Sequence, residues 1–169
     1  ELFVSRADDA VVLRLRADGG TPISASFALV PHDKDDAVAQ NGKPTEVPFR
    51  YESSADMNGL AICGVRPDGT EFGAVARIVC KGGRAQLCGS SLAVEAAEEI
   101  VVLIDLFANG EHDPEWRRLK ERLEKLPADY ERLLLRHASE HRETFLRSSL
   151  DLGADDARRE TANEYLLLD

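Results

Sequence analysis

Apolar residues recur at every second position through about the first hundred residues, a rhythm that suits extended strands with one face turned to a core. Val11, Leu13 and Leu15 alternate with Val12, Arg14 and Arg16. Ile23, Ala25, Phe27 and Leu29 alternate with small or polar residues, and Phe72, Ala74, Ala76, Ile78 and Cys80 repeat the pattern. Such alternation predicts one buried and one wet face, the habit of antiparallel sheets. Turn-forming runs punctuate it: "RADGGTP", "VRPDGTE", "CKGGRA" and "LCGSSL". About nine short strands at this spacing predict a β-sandwich. Strands and helices do not alternate, and neither a G-x-G-x-x-G run nor a P-loop occurs, which argues against a nucleotide-binding α/β fold. One long loop interrupts the strands at residues 30–48. Its "DKDD" fails the calcium-loop order, because the sixth and twelfth places counted from Asp33 hold Val38 and Pro44.

Near residue 113 the period changes. Asp113 is a candidate helix cap with Pro114 at the first helical position. "PEWRRLKERLEKL" then sets Trp116, Leu119, Leu123 and Leu126 on one stripe, and Pro127 ends it. A second helix is expected from about Asp129 to about Ser148. Its stripe is Tyr130, Leu133, Leu134, His137, His141 and Phe145, spaced by threes and fours. "DARRETANEYLLLD" suggests a third helix. The organisation expected is an antiparallel β-sandwich over 1–108 followed by a helical segment over 109–169.

With 31 acids against 21 bases the formal net charge is −10. That disfavours nucleic acid and anionic membrane as partners, since both require clustered positive charge. No run approaches the ~20 apolar residues of a membrane helix. Cys63, Cys80 and Cys88 are an odd set in strand-like runs. They read as buried thiols that favour a cytoplasmic setting, and they match no zinc spacing. The chain opens without Met inside a strand pattern and closes on the apolar Leu166–Leu168. Both features raise the expectation of a piece of a longer protein, and cut strands would then favour pairing into a homodimer.

Three constellations invite a chemical reading. His137 and His141 lie four apart on one helix face, as two metal ligands would. The intervening residues are Ala, Ser and Glu, however, so the metalloprotease order H-E-x-x-H is absent. The expectation is therefore a packing role with no metal and no cofactor. Acids cluster near the strand-to-helix junction: Glu98, Glu99, Asp105, Glu111 and Asp113. Among them Asp105 stands out because it interrupts "IVVLIDLF", where a carboxylate needs partners or a sheet edge. Asp105 with Glu111 could serve as an acid–base pair. Trp116 and Phe107 could stack on a sugar, though Trp116 is better suited to anchoring the first helix on the sheet.

The chain also resembles a family. "ELFVSRADDAVVLRLRADGG" is similar to a strand pair, and "GLAICGVRPDGTEFGAVARIVCKGGRAQLCGSSLAVEAAEEIVVLIDLFANGE" to the closing strands, of the N-terminal sandwich of glycoside hydrolase family 95. "DYERLLLRHASEHRETFLRSSLDLG" resembles that family's linker helix, Y-x-x-L-x-x-x-H-x-x-x-(Y/F)-x-x-x-F-x-R-x-x-L-x-L-G. Tyr130, His137, Phe145, Arg147, Leu150, Leu152 and Gly153 match it, while His141 replaces an aromatic or acidic residue. The "LIDLFANG" stretch departs by lacking the Thr that commonly precedes the aromatic residue. The resemblance implies a super-sandwich and linker that support an (α/α)6 barrel, with hydrolysis of a terminal α-fucoside or galactoside as the parent reaction. The catalytic carboxylates would lie in the barrel, outside this chain, so none is assigned here. Family 65 phosphorylases share the architecture and are the alternative parent.

The expectation is thus a non-catalytic domain and linker of a carbohydrate hydrolase. Tyr130, His137, His141, Phe145 and Trp116 would pack between the two bodies, and the missing barrel would be the partner. The rival is a free-standing carbohydrate- or protein-binding sandwich, which needs an exposed aromatic platform.

Overall fold

The computed structural model describes residues 1–31 and 50–147. Most of the expected long loop, the calcium-like run, the third helix, and Leu150, Leu152 and Gly153 lie outside them. The fold is mainly β, with antiparallel sheets and two helices after the strands. Strands β1 (Leu2–Ser5), β2 (Ala10–Arg16), β4 (Arg50–Asp56), β5 (Gly59–Val65), β6 (Glu71–Lys81) and β9 (Glu99–Gly110) form one sheet in the order β1-β2-β9-β6-β5-β4. Strands β3 (Ile23–Phe27), β7 (Arg84–Cys88) and β8 (Ser91–Ala97) form a smaller sheet in the order β3-β8-β7. Helices α1 (His112–Lys125) and α2 (Tyr130–Phe145) follow.

The larger sheet is covered on both faces. One face meets the smaller sheet through Leu60, Ala76, Ile78, Ile100 and Val102 against Leu92, Val94 and Ala97. The other meets the helices through Val12, Val75, Val101, Leu103 and Phe107 against Leu119, Leu123, Tyr130 and Leu133. This corrects the expectation of one wet face. In β2 the deepest residues are Ala10, Val12 and Arg14, on the side assigned to solvent, while Leu13 and Leu15 are partly buried under the smaller sheet. The unbroken apolar run of β9 has the same cause, because a central strand with two covered faces has no polar side.

The chain changes sheets at two sharp corners. Gly82 and Gly83 both have φ +70, and a Cβ on Gly83 would run into the backbone of Glu95–Ala97. The return passes through Ala96, itself at positive φ, to Glu98, whose amide bonds Lys81 O at 2.8 Å.

The start of α1 also differs from expectation. Glu111, not Asp113, occupies the N-cap position and makes no side-chain cap bond. The His112 amide instead donates to the Glu71 carboxylate of β6. A neighbouring strand thus supplies the cap, and Pro114 falls third in the helix, where a missing N–H is still harmless. Asp129 does cap α2, accepting from Arg132 N at 3.1 Å. The α2 helix ends at Phe145 rather than near Ser148.

At its other end α1 is held by Arg77 of β6. Its Nη1 donates to Leu123 O (2.8 Å), Leu126 O (2.9 Å) and Glu124 O (3.3 Å). One cation satisfies carbonyls that the helix leaves open and opposes the negative end of its dipole. Arg77→Met keeps the stem and removes these bonds. It should cost about 1.5–3 kcal/mol in chemical denaturation, the range for hydrogen bonds to a charged group. A loss indistinguishable from zero would mean that water replaces the guanidinium.

Candidate functional site

The residues singled out from the sequence divide between two places. The first is the seam between α2 and the β1–β2 hairpin. Tyr130 is buried, His137 half-buried, and His141 and Phe145 exposed. Their rings form a series with Phe3 of β1. Phe3 meets Tyr130 edge-on at 5.5 Å and stacks on His137 at 5.0 Å. His137 stacks on His141 at 5.3 Å, and His141 on Phe145 at 5.9 Å. Spacing by threes and fours brings the rings to one side of the helix, as the sequence implied. Burial falls along the series, from Tyr130 at the sheet to the exposed His141 and Phe145.

Stacked imidazoles present faces to each other, not nitrogens to a common point. His137 Nδ1 is also engaged, accepting the Arg6 amide at 3.4 Å. No group of three metal-ligating side chains occurs among the described residues.

The sequence did not reveal what anchors this seam. The turn between β1 and β2, Arg6–Asp9, is gripped by both helices. Asp8 is buried, receives the Ser5 hydroxyl at 2.8 Å and pairs with Arg136 of α2 at 2.8 Å. Asp9 accepts from Arg122 of α1 through its backbone carbonyl (2.8 Å) and its carboxylate (3.2 Å). Beside them the Arg14 guanidinium lies 3.8 Å over the Tyr130 ring and donates to Glu131 at 2.6 Å. Burial, reinforced by the Glu1 carboxylate, pushes the Tyr130 phenol above its ordinary range. The clue available in the sequence was the pair of adjacent acids in "SRADD", which looks like an ordinary polar turn.

Asp105 belongs to the same architecture. It lies on β9 opposite Val75 of β6, one residue past the last pair with β2, Val11–Ile104. Its side chain is 5% exposed and pairs with Arg122, while Oδ1 accepts from Leu106 N at 2.8 Å. Asp105 is therefore a buried tie between sheet and helix. Glu111 sits at the N-cap position of α1, exposed, with no contact joining it to Asp105.

The second place is a cleft of about 730 Å³ where the β4–β5 hairpin end meets α1. Trp116 lines it, apart from the ring series. The Lys120 ammonium lies 5.4 Å over the indole and 3.0 Å from Asp56. Burial alone would raise the Asp56 pKa, but the Asn58 amide and Lys120 outweigh it and hold the carboxyl below the ordinary range. Cys80 borders the cleft, and burial pushes its thiol up, away from nucleophilic character. Neither Asp105 nor Glu111 lines this cleft, so it does not unite them as an acid–base pair. The half-buried Trp116 packs against the helix-side core, as an anchor should.

A scan against protein-family models finds no match, and a search of curated proteins finds none. The likeness to family 95 hydrolases rests on the quoted residues alone. No helix is long and apolar enough to cross a membrane among the described residues.

Proposed function

We propose that this chain is the non-catalytic N-terminal β-sandwich domain and helical linker of a family-95-like glycoside hydrolase. It would support a separate (α/α)6 barrel that hydrolyses a terminal α-fucoside or galactoside. The observation that carries this reading is the ring series on α2. It starts buried at Tyr130 and ends at Phe145, which stacks on His141 and is 69% exposed, so an aromatic stripe runs from the sheet to an exposed outer end. A linker helix that bridges two bodies needs such a stripe, one end packed on each. The element order, antiparallel sheets and then two helices, agrees with the same plan. The family match of Tyr130 and His137 falls on residues that touch Phe3.

Two measurements test the proposal. An antibody to this region should detect a native gene product several times heavier than 18.6 kDa. The 169-residue chain alone should release no nitrophenol from p-nitrophenyl α-fucoside or galactoside. Turnover abolished by Asp105→Asn would overturn the proposal, and a native product near the mass of this chain would remove the barrel.

One observation favours a second reading, a carbohydrate- or protein-binding module. Tyr51 and Phe72 flank Gly64 in a single row of the larger sheet, on one face. The Phe72 ring lies over Gly64, and the Arg66 guanidinium is 5.6 Å from it. Glycan binding lost in Tyr51→Ala would favour this reading.

A further inference from the structure

The Arg6–Asp9 turn is short, strained and held from two sides. It joins β1 to β2, and Asp9 stands at φ +50, a conformation that residues other than glycine seldom adopt. Such a conformation persists where its surroundings over-determine it. The Ser5 hydroxyl donates to Asp8 Oδ2 at 2.8 Å and accepts the Asp8 amide at 3.1 Å, a closed pair that stiffens the segment. From α2, Arg136 reaches Asp8 Oδ1 at 2.8 Å, and His137 Nδ1 accepts the Arg6 amide. From α1, Arg122 donates to the Asp9 carbonyl at 2.8 Å, and the same guanidinium pairs with Asp105 of β9.

Asp8 and Asp9 are consecutive, so one planar peptide joins the two grips. The helices differ in what else holds them. α1 buries Leu119 and Leu123, and Arg77 closes its end, so β6 fixes it as well as the turn does. α2 buries Tyr130 and Leu133 near its start, where Arg14 also binds Glu131. Farther along, Arg136 and His137 meet the strands at this turn and at Phe3. We infer that the turn is a conformational coupler between the helices. Arg122 of α1 sets the position of Asp9, Asp9 that of Asp8, and Asp8 that of the outer half of α2. A displacement of that outer half returns to Arg122 and Asp105 by the same route, because coupling between two sites is reciprocal. The coupling does not depend on the hydrolase reading.

The test is hydrogen exchange of the native gene product, read at the α2 amides from Arg136 to Arg142 that open locally, meaning that low urea does not change their rate. Asp105→Leu/Arg122→Leu removes the grip on Asp9 without stranding a buried carboxylate. It should speed these amides about tenfold, within the range for residues that share one network. Arg77→Met loosens α1 at its other end and should change them by less than about twofold, as independent sites do. On an Asp8→Asn background, which discharges the pair with Arg136, the leucine pair should add less than about twofold. Amides untouched by the leucine pair would overturn the inference. Equal acceleration by Arg77→Met would also overturn it, as general loosening. Full acceleration on the Asp8→Asn background would do the same, by placing the route elsewhere. If none of these amides opens locally, the outer half of α2 moves only with the whole fold, and the turn couples nothing. No readout depends on turnover, so failure here is separate from failure of the hydrolase reading.

Discussion

Arg122→Ala is expected to destabilise the fold by about 3–5 kcal/mol, the range for stripping one partner from a buried ion pair. The Asp105 carboxylate is 5% exposed on a central strand, and Arg122 is the cation that reaches it. Without the guanidinium a buried charge is left uncompensated. The same change releases Asp9 and so loosens the β1–β2 turn. The double variant Asp105→Leu/Arg122→Leu should recover most of the loss, because a matched apolar pair needs no solvation. Urea midpoints of the three variants provide the check. A single-variant loss under about 1 kcal/mol would mean that water reaches Asp105 and that the tie is not a buried one.

Leu133→Ala should cost about 2–5 kcal/mol, as large-to-small changes at fully buried sites do. Leu133 lies in the core cluster with Leu103, Phe107 and Tyr130, so the cavity would open where α2 meets the sheet. This variant separates two pictures of α2. If the helix is docked on β1 and β2, stability falls and the amides of β1 lose protection together with those of α2. If α2 is a loosely held linker, the cost stays under about 1 kcal/mol and β1 is unaffected. Leu135→Ala, on the same helix but exposed, is the control.

Much of the fold was legible in the residues. Alternation marked Ile23, Ala25 and Phe27 as a strand facing a core, and they pack under the larger sheet as read. The threes and fours of α2 located the helix, which the structure shows capped by Asp129. Local rules suffice there, because a strand or helix stripe is written in consecutive side chains. The second face of β2 was misread for the converse reason. Val12 and Arg14 look like a wet side until a helix from more than a hundred residues away covers them. The cap of α1 was misread in the same way, since Glu71 reaches it from another strand.

The candidate site divides along the same line. Its ring series was visible as Tyr130, His137, His141 and Phe145. That Phe3 joins it, that Asp8 and Asp9 are the points both helices grip, and that Arg77 closes α1 were not visible, because no local period links these residues. The sequence by itself determined the strands, the two helices and their apolar stripes, since each depends on neighbours within a few positions. Tertiary structure alone decided that the larger sheet is covered on both sides and that Asp105 is tied to Arg122. Those outcomes depend on which distant surfaces meet, and burial and pairing of charge are properties of that meeting.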